Sequence, residues 1–220
     1  MLEIVPFVLG PVATNVYLIA DPDLNEAAVI DPGWDGRIIQ AGALKRGWRI
    51  RQFWYTHAHF DHLGGAAELA AALEQPPAVA LHAADLVLWE GGGGGALFGY
   101  PIDPGPRPSL DLAVVRSLHL GAWTFEVRPA PGHTPGSVVY YCAEAGLLFS
   151  GDLIFRGSVG RTDLPGGNPA QLLASIRDQV LSLPEATRIL SGHGPETTVG
   201  KEKRSNPFLG DFRSFPVSLM

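Results

Sequence analysis

The feature that most constrains this chain is the run from Thr56 to His62, which places three imidazoles and one carboxylate within six residues. Imidazole nitrogen suits zinc, iron and nickel, and carboxylate oxygen is a harder donor for divalent cations. A continuous helix cannot offer all four side chains to one metal, because His57 and His59 share a face only where the backbone is extended. The run therefore predicts a loop that presents its side chains to two neighbouring metal sites.

Composition favours one packed α/β domain over residues 1–220, because 46% of the 220 residues are hydrophobic and 17% are charged. The net charge of −6 and the lack of a long basic run argue against a nucleic-acid partner. The first residues lack the basic and apolar regions of a signal peptide, and no apolar run reaches membrane-spanning length. The single cysteine, Cys142, cannot form an internal disulfide. We therefore expect a cytoplasmic protein without a membrane partner, and the sequence leaves its oligomeric state open.

Strand-like and helix-like stretches alternate along the chain in two successive groups. Strands are predicted at residues 3–9, 15–20, 27–31, 51–55, 78–81, 112–115, 123–128, 138–142, 147–149 and 188–191, and helices at 38–45, 66–74, 83–89 and 170–183. Since each group of strands carries its own helices, we expect two sheets packed face to face with the helices outside.

The segment from Gly91 to Pro108 begins with five consecutive glycines and contains Phe98 and Tyr100. This composition predicts a flexible surface loop. The alternative is a mobile flap whose two aromatic side chains contact the substrate.

Further metal donors follow other predicted strands. His133 and His193 lie in turns rich in glycine and proline, and Asp152 follows the apolar strand at residues 147–149. Such turns place side chains at strand ends, where they can converge. Together with the first run they supply five imidazoles and two carboxylates, enough for two metal ions. His82 and His119 lack this context and are predicted to be ordinary surface or edge histidines.

These residues resemble the five-part metal signature of the metallo-β-lactamase-fold hydrolases, with Asp31 matching the aspartate that opens it. Within that superfamily the chain is most similar to the short bacterial form of glyoxalase II, the hydroxyacylglutathione hydrolases. Residues 132–137, 160–163 and 192–198, the last together with 206–208, carry this second resemblance. It implies a four-layer αβ/βα sandwich of two mixed β-sheets, without the C-terminal helical domain that contributes glutathione contacts in the longer form.

The resemblance also implies a role for each donor. One metal would be held by three histidines, the second by one aspartate and two histidines, and Asp152 would bridge the two. In that order the ligands are His57, His59 and His133, and then Asp61, His62 and His193. Zinc is the expected metal, and iron or manganese are compatible with the same donors. Asp61 would also orient the attacking hydroxide.

Substrate contacts are expected from Arg161, which stands where the longer enzymes place a lysine, and from Phe98 and Tyr100. Asp163 stands where the family has a tyrosine, and the alternative is that it simply pairs with Arg161.

The expected activity is hydrolysis of an acyl-thioester such as S-lactoylglutathione by a metal-bridging hydroxide. The expected partner is a small-molecule thioester substrate, and a glutathione carrier is one option. Thiolate is a good leaving group because a thiol pKa is only about 8.5. Three alternatives stay open: a mononuclear iron persulfide dioxygenase, a lactonase of the same fold, and a metal-buffering protein without catalysis.

Overall fold

The first of two six-stranded sheets is formed by the N-terminal part of the chain. The computed structural model describes residues 1–214. The strands are β1 (Glu3–Leu9), β2 (Thr14–Asp21), β3 (Glu26–Ile30), β4 (Arg49–Trp54), β5 (Ala78–Leu81) and β6 (Leu110–Asp111), and they lie side by side in that order. The pairs from β1 to β3 are antiparallel, and those from β3 to β6 are parallel.

The second sheet is also mixed, and it contains the only parallel pair of that half, β10 with β13, among the described residues. Its strands are β7 (Ser117–Leu120), β8 (Trp123–Pro129), β9 (Val138–Cys142), β10 (Leu147–Gly151), β13 (Arg188–Ser191) and β14 (Thr197–Thr198), in the spatial order β14-β13-β10-β9-β8-β7. Strands β11 (Ile154–Phe155) and β12 (Ser158–Val159) form a separate hairpin.

The helices are short. The α-helices are α1 (Gly36–Leu44), α2 (Phe60–Leu63), α3 (Ala66–Ala71), α4 (Leu86–Glu90), α5 (Pro169–Ser175) and α6 (Val199–Ser205). Segments Ala83–Asp85, Gly92–Phe98 and Pro207–Ser214 are 3₁₀-helical, and Ile176–Val180 continues α5 as a π-helical turn. Within residues 1–214, no helix is long and apolar enough to cross a membrane.

Aromatic side chains fill the space between the two sheets. Trp54 of β4 packs on Phe125 and Tyr140 of the second sheet, with ring centroids 4.9 and 5.7 Å apart. Tyr17 of β2 packs on Phe149 in the same way at 5.2 Å. Because successive side chains of a strand point to opposite faces, the neighbours of these residues face outward.

Those outward-facing residues pack against the helices. Leu18 of β2 belongs to a core cluster with Ile39 of α1 and Leu69 of α3. On the other side, Leu148 of β10 belongs to a cluster with Leu172 of α5. The layers therefore follow the order helix, sheet, sheet, helix, and the predicted four-layer α/β sandwich is confirmed.

The strand predicted at residues 112–115 is wrong. Strand β6 is Leu110–Asp111, and the chain turns immediately after it. The cause is Asp111, whose side chain accepts hydrogen bonds from the Ala113 and Ala83 backbone nitrogens at 2.8 and 3.0 Å. Its carbonyl also accepts from Val115 N at 3.0 Å, which closes the turn. An aspartate that captures its own backbone in this way competes with strand pairing.

Strand β7 was not predicted, although Leu118 and Leu120 are buried and alternate with polar residues. It forms an edge of the second sheet, and His119 is exposed on it. The predicted helix at 170–183 is α5 followed by the π-helical turn.

Candidate metal centre

Strand β4 delivers the first group of donors to the space between the sheets. After Trp54 the chain is non-helical to His59, and residues Phe60–Leu63 then form the single turn of α2. The sequence predicted a loop throughout, so the second half of the run differs from that expectation. The change from extended to helical backbone at His59 separates the directions of the side chains on either side of it.

The remaining donors come from the second sheet. His133 lies in the turn before β9, Asp152 directly follows β10, and His193 is the second residue after β13. Because β10 and β13 are parallel, their carboxyl ends meet at the same edge, where ligand-binding residues of α/β sheets collect. A hydrogen bond of 2.8 Å from Gly192 N to Gly151 O fixes the two loops side by side.

All seven predicted donors meet in one cluster. Three overlapping sets each keep their donor atoms within 4.8 Å of one another, namely His57, His59 and His133; His57, His62 and Asp152; and Asp61, His62 and His193. Asp152 carboxylate oxygens also lie 3.7 Å from His133 Nε2 and 3.5 Å from His193 Nε2. Asp152 is therefore positioned between the first set and the last.

Three atoms of this cluster test whether it suits metal ions. His57 Nε2, His62 Nε2 and Asp152 Oδ1 are buried and make no hydrogen bond, although His62 Nε2 lies 3.4 Å from Asp152 Oδ1. Leaving a buried polar atom without a partner costs about 1–3 kcal/mol, so such atoms call for a ligand. Nitrogen-rich donors with carboxylates suit divalent transition metals. The cluster therefore fits a two-ion centre.

Charge in the cluster favours cations. Burial lowers the pKa of His62, but the carboxylates of Asp61 and Asp152 outweigh burial and raise it well above its usual value. Burial lowers the pKa of His57 well below its usual value and that of His59 to about 3, and neighbouring histidines add to both effects. His57 and His59 are therefore neutral at physiological pH, which is the form that binds metal, whereas His62 would lose its proton when a metal binds.

Asp31 orients His62 from behind. Its carboxylate accepts hydrogen bonds from Thr56 N and Thr56 Oγ1 at 2.7 Å each, and from His62 Nδ1 at 2.9 Å. With Nδ1 engaged in this way, Nε2 faces the cluster. Carboxylate partners of this kind fix the ring and the tautomer of metal-ligating histidines.

Asp85 holds the donor-bearing loops in place by hydrogen bonds. It was not identified from the sequence. Its buried carboxylate accepts from Ala58 N at 3.0 Å, from Thr134 Oγ1 at 2.7 Å and from Gly136 N at 2.6 Å. One side chain thereby joins the loop that carries His57 and His59 to the turn that carries His133.

Thr14 was also missed. Its Oγ1 donates to Asp61 Oδ2 at 3.0 Å, and Thr14 forms an isolated antiparallel bridge with His193. The only sequence signal at Thr14 was its place immediately before a predicted strand, because its partners lie in other elements.

A cavity of about 210 Å³ opens beside the donors. Its lining is formed by Val12, His59, Phe60, Asp61, Phe98, His133, Asp152, Arg161, Leu164 and His193. Of the three predicted substrate contacts, Phe98 and Arg161 line this cavity. Tyr100 is not part of the lining, and its ring stacks on Phe60 with centroids 5.8 Å apart.

Arg161 has two separate roles in the geometry. Its carbonyl oxygen accepts a hydrogen bond of 2.8 Å from His133 Nδ1, which turns His133 Nε2 toward the cluster. Its guanidinium pairs with both carboxylate oxygens of Asp163 at 2.7 and 2.8 Å. This bidentate pair lowers the pKa of Asp163 to about 2.

The glycine-rich segment is more ordered than the predicted flexible loop. Residues Gly92–Phe98 are 3₁₀-helical with a kink, and Gly93 and Gly95 are buried. A Cβ on Gly93 would lie 2.3 Å from Phe60 N, so only glycine allows this approach.

Comparison with known proteins places this site in a family. Residues 9–193 match the metallo-beta-lactamase superfamily. The hydroxyacylglutathione hydrolase GloC of Haemophilus influenzae is 36% identical over 213 residues, which cover 94% of this chain and 97% of that protein.

Two crystal structures are similar throughout. One is the BLEG-1 B3 metallo-beta-lactamase, with a TM-score of 0.87, 39% identity, and coverage of 95% of this chain and 99% of that one. The other is TTHA1623 in a di-iron-bound form, with a TM-score of 0.83, 42% identity, and coverage of 93% and 100%. The match spans every donor of the cluster, and the chain belongs to the metallo-β-lactamase superfamily.

Proposed function

We propose that this metallo-hydrolase cleaves acyl-thioesters, with S-lactoylglutathione as a representative substrate. The observation that carries the proposal is the convergence of seven donors in one cluster, five of which line an open cavity. The similarity to a hydroxyacylglutathione hydrolase supports the choice of substrate.

The proposed ligand sets follow the donor groups. His57, His59 and His133 would hold one ion, and a second set would hold the other, with Asp152 between them. The second set is Asp61, His62 and His193. When bound, divalent ions polarise a carbonyl and lower the pKa of water to about 7.

Asp61 is the proposed catalytic residue. Thr14 Oγ1 donates to its Oδ2 and holds the carboxylate in place at the cavity wall. The carboxylate can accept a hydrogen bond from the attacking water and so orient its lone pair toward the acyl carbon.

Thioesters suit the remaining lining. In the overall reaction the water oxygen bonds to the acyl carbon, the carbon–sulfur bond breaks, and the products are a carboxylic acid and a thiol. The thiolate leaves without prior protonation because a thiol pKa is about 8.5. The described lining contains no lysine or tyrosine that could protonate a departing amine, and its histidines are metal donors.

The test combines metal quantification with a substrate panel of acyl-thioesters, lactones, a β-lactam and a persulfide. Two metal ions per chain and thioester turnover are expected. His59→Ala should abolish turnover, whereas His119→Ala, which alters an exposed edge histidine, should not. Protein that is loaded with metal and inert toward all acyl-thioesters would refute the proposal.

Other outcomes of the panel point to defined alternatives. Hydrolysis of the β-lactam alone would favour the activity named for the BLEG-1 relative. Turnover of lactones alone would indicate a lactonase. One iron per chain with oxygen consumption on the persulfide would indicate a dioxygenase. A metal-loaded protein without any turnover would indicate a buffering role.

A further inference from the structure

We infer that the acyl group of the substrate is short and apolar, an inference that rests on the thioesterase function proposed above. Four apolar side chains, Val12, Phe60, Phe98 and Leu164, line the cavity beside the metal donors. Val12 is 42% exposed and Phe98 is 44% exposed, so both present apolar surface to whatever enters. Burying that surface against an apolar group is favourable, at roughly 25 cal/mol per Å².

An aromatic stack holds Phe98 in place. Its ring lies on Phe60 with centroids 5.6 Å apart and an angle of 23° between planes. Tyr100 also stacks on Phe60, at 5.8 Å and 7°, and its edge contacts Trp34 at 6.0 Å. Ring pairs at such distances are favourable beyond simple burial. The apolar surface beside the donors is therefore preorganised.

The glycine run explains how the stack forms. A Cβ on Gly95 would lie 2.2 Å from the Tyr100 carbonyl oxygen and 2.8 Å from Phe60 Cβ. Side chains at Gly93 and Gly95 would thus displace the segment from Phe60. The run is required for the close approach that brings Phe98 to the cavity.

The charges of the lining argue against a tightly held anionic carrier. Among the described lining residues, Arg161 is the only arginine or lysine. Its guanidinium is already paired with Asp163 through two hydrogen bonds. The carboxylates of a glutathione carrier would have to compete with Asp163 for that charge. An acyl hydroxyl finds no hydrogen-bond partner on Val12, Phe98 or Leu164, whereas an apolar acyl group buries their surface.

The volume of the cavity limits the size of the acyl group that it can hold. A volume of about 210 Å³ is below the 300–1,000 Å³ typical of pockets for drug-sized ligands. A short aliphatic or a single aromatic acyl group suits this space, and the thiol carrier would extend toward solvent.

The experiment varies the acyl group on one neutral carrier, N-acetylcysteamine, using the metal-loaded protein. The key pair is isobutyryl against lactoyl, which differ by a methyl in place of a hydroxyl. Each rate is divided by the rate of non-enzymatic hydrolysis by hydroxide, which removes the difference in intrinsic reactivity. We expect isobutyryl to be preferred. From acetyl to hexanoyl, kcat/KM should rise by up to about fourfold per methylene until the cavity is filled.

Variants of Phe98 test whether the chain-length dependence comes from the apolar lining. Phe98→Ala should flatten the chain-length dependence, and Phe98→Leu, which keeps an apolar side chain, should retain most of it. The matched control is Val87→Ala, which removes methyl groups from a side chain that is 80% exposed and outside the cavity. It should leave the dependence unchanged.

The possible outcomes distinguish failure of this inference from failure of the proposed thioesterase function. A preference for lactoyl over isobutyryl, or a chain-length dependence that Phe98→Ala leaves intact, would overturn the inference while thioester hydrolysis stands. Absence of hydrolysis for every thioester would overturn the proposed function itself.

Discussion

The cavity is lined by metal donors, called here the donor end, and by apolar side chains, called here the apolar end. The two are held in place by different kinds of interaction. At the donor end, the polar groups are buried or half-buried, and several are held by hydrogen bonds from residues outside the donor set, as His62 is by Asp31 and Asp61 is by Thr14. At the apolar end, Val12 and Phe98 are partly exposed and are held by packing alone.

This difference separates chemistry from selectivity. Metal chemistry needs donors placed to within a fraction of an ångström, and hydrogen bonds from a second layer provide that accuracy. An apolar contact tolerates a range of shapes, so residues such as Val12 and Leu164 can change between relatives without loss of the centre. We therefore expect the donor end to specify hydrolysis and the apolar end to specify which acyl group is hydrolysed.

Asp152→Asn should have the largest effect, because it removes the charge between the two donor sets while preserving the shape of the side chain. Loss of metal stabilisation worth several kcal/mol corresponds to a fall in kcat/KM of roughly a thousandfold or more. Elemental analysis should also show less than two ions per chain. Asp178→Asn, which alters an exposed carboxylate outside the cluster, is the control. Full metal content and activity in the Asp152 variant would contradict the proposed ligand assignment.

Chelation should lower the melting temperature, because the ions bind only where the folded chain gathers the donors. A metal present at a thousand times its Kd stabilises the fold by about 4 kcal/mol, which corresponds to roughly 8–16 °C for a chain of this size. Differential scanning calorimetry before and after chelation, followed by metal readdition, measures the shift. An unchanged melting temperature would show that the cluster holds no ion at the concentration used.

Asp85→Asn should weaken metal binding without touching any donor. An amide offers one acceptor oxygen where the carboxylate shares two among Ala58 N, Gly136 N and Thr134 Oγ1. Loss of such outer partners typically lowers metal affinity 10–100-fold. Competition with a chromophoric chelator gives the affinity, and the Co²⁺ absorption spectrum reports whether the geometry of the histidine ligands changes. Glu126→Gln, an exposed carboxylate on β8, serves as the control. Equal affinities would restrict Asp85 to a general folding role.

The donor end could be predicted from the sequence because its signals are local. His57 and His59 belong to one short run, and His133 and His193 each stand in a conspicuous turn. The second layer carries no such signal. Asp85 is 27 residues from Ala58 and 51 from Gly136, and only the packing of the two sheets brings them together.

The apolar end was harder to predict for a different reason. A valine or leucine in a turn, such as Val12 or Leu164, looks like any exposed residue until the fold places it beside the donors. The glycine run was predicted to be a flexible loop because flexibility is the usual consequence of consecutive glycines, and nothing in the sequence indicates what the run packs against. Here Gly93 and Gly95 serve close packing on Phe60 instead.

The smallest expected effect concerns Arg161, which borders both ends. Its carbonyl supports His133 and is retained in any substitution, so Arg161→Gln tests the guanidinium alone. Because that charge is already paired with Asp163 at the surface, where such pairs contribute about 1 kcal/mol or less, kcat/KM for S-lactoylglutathione should fall less than about fivefold. Asp163→Asn should free the guanidinium and lower KM for this anionic substrate by a similar factor. High salt should cancel that gain, since exposed charges are screened. A loss of more than tenfold in Arg161→Gln would instead show that the arginine leaves Asp163 to bind the carrier, and the apolar end would then share control of selectivity with charge.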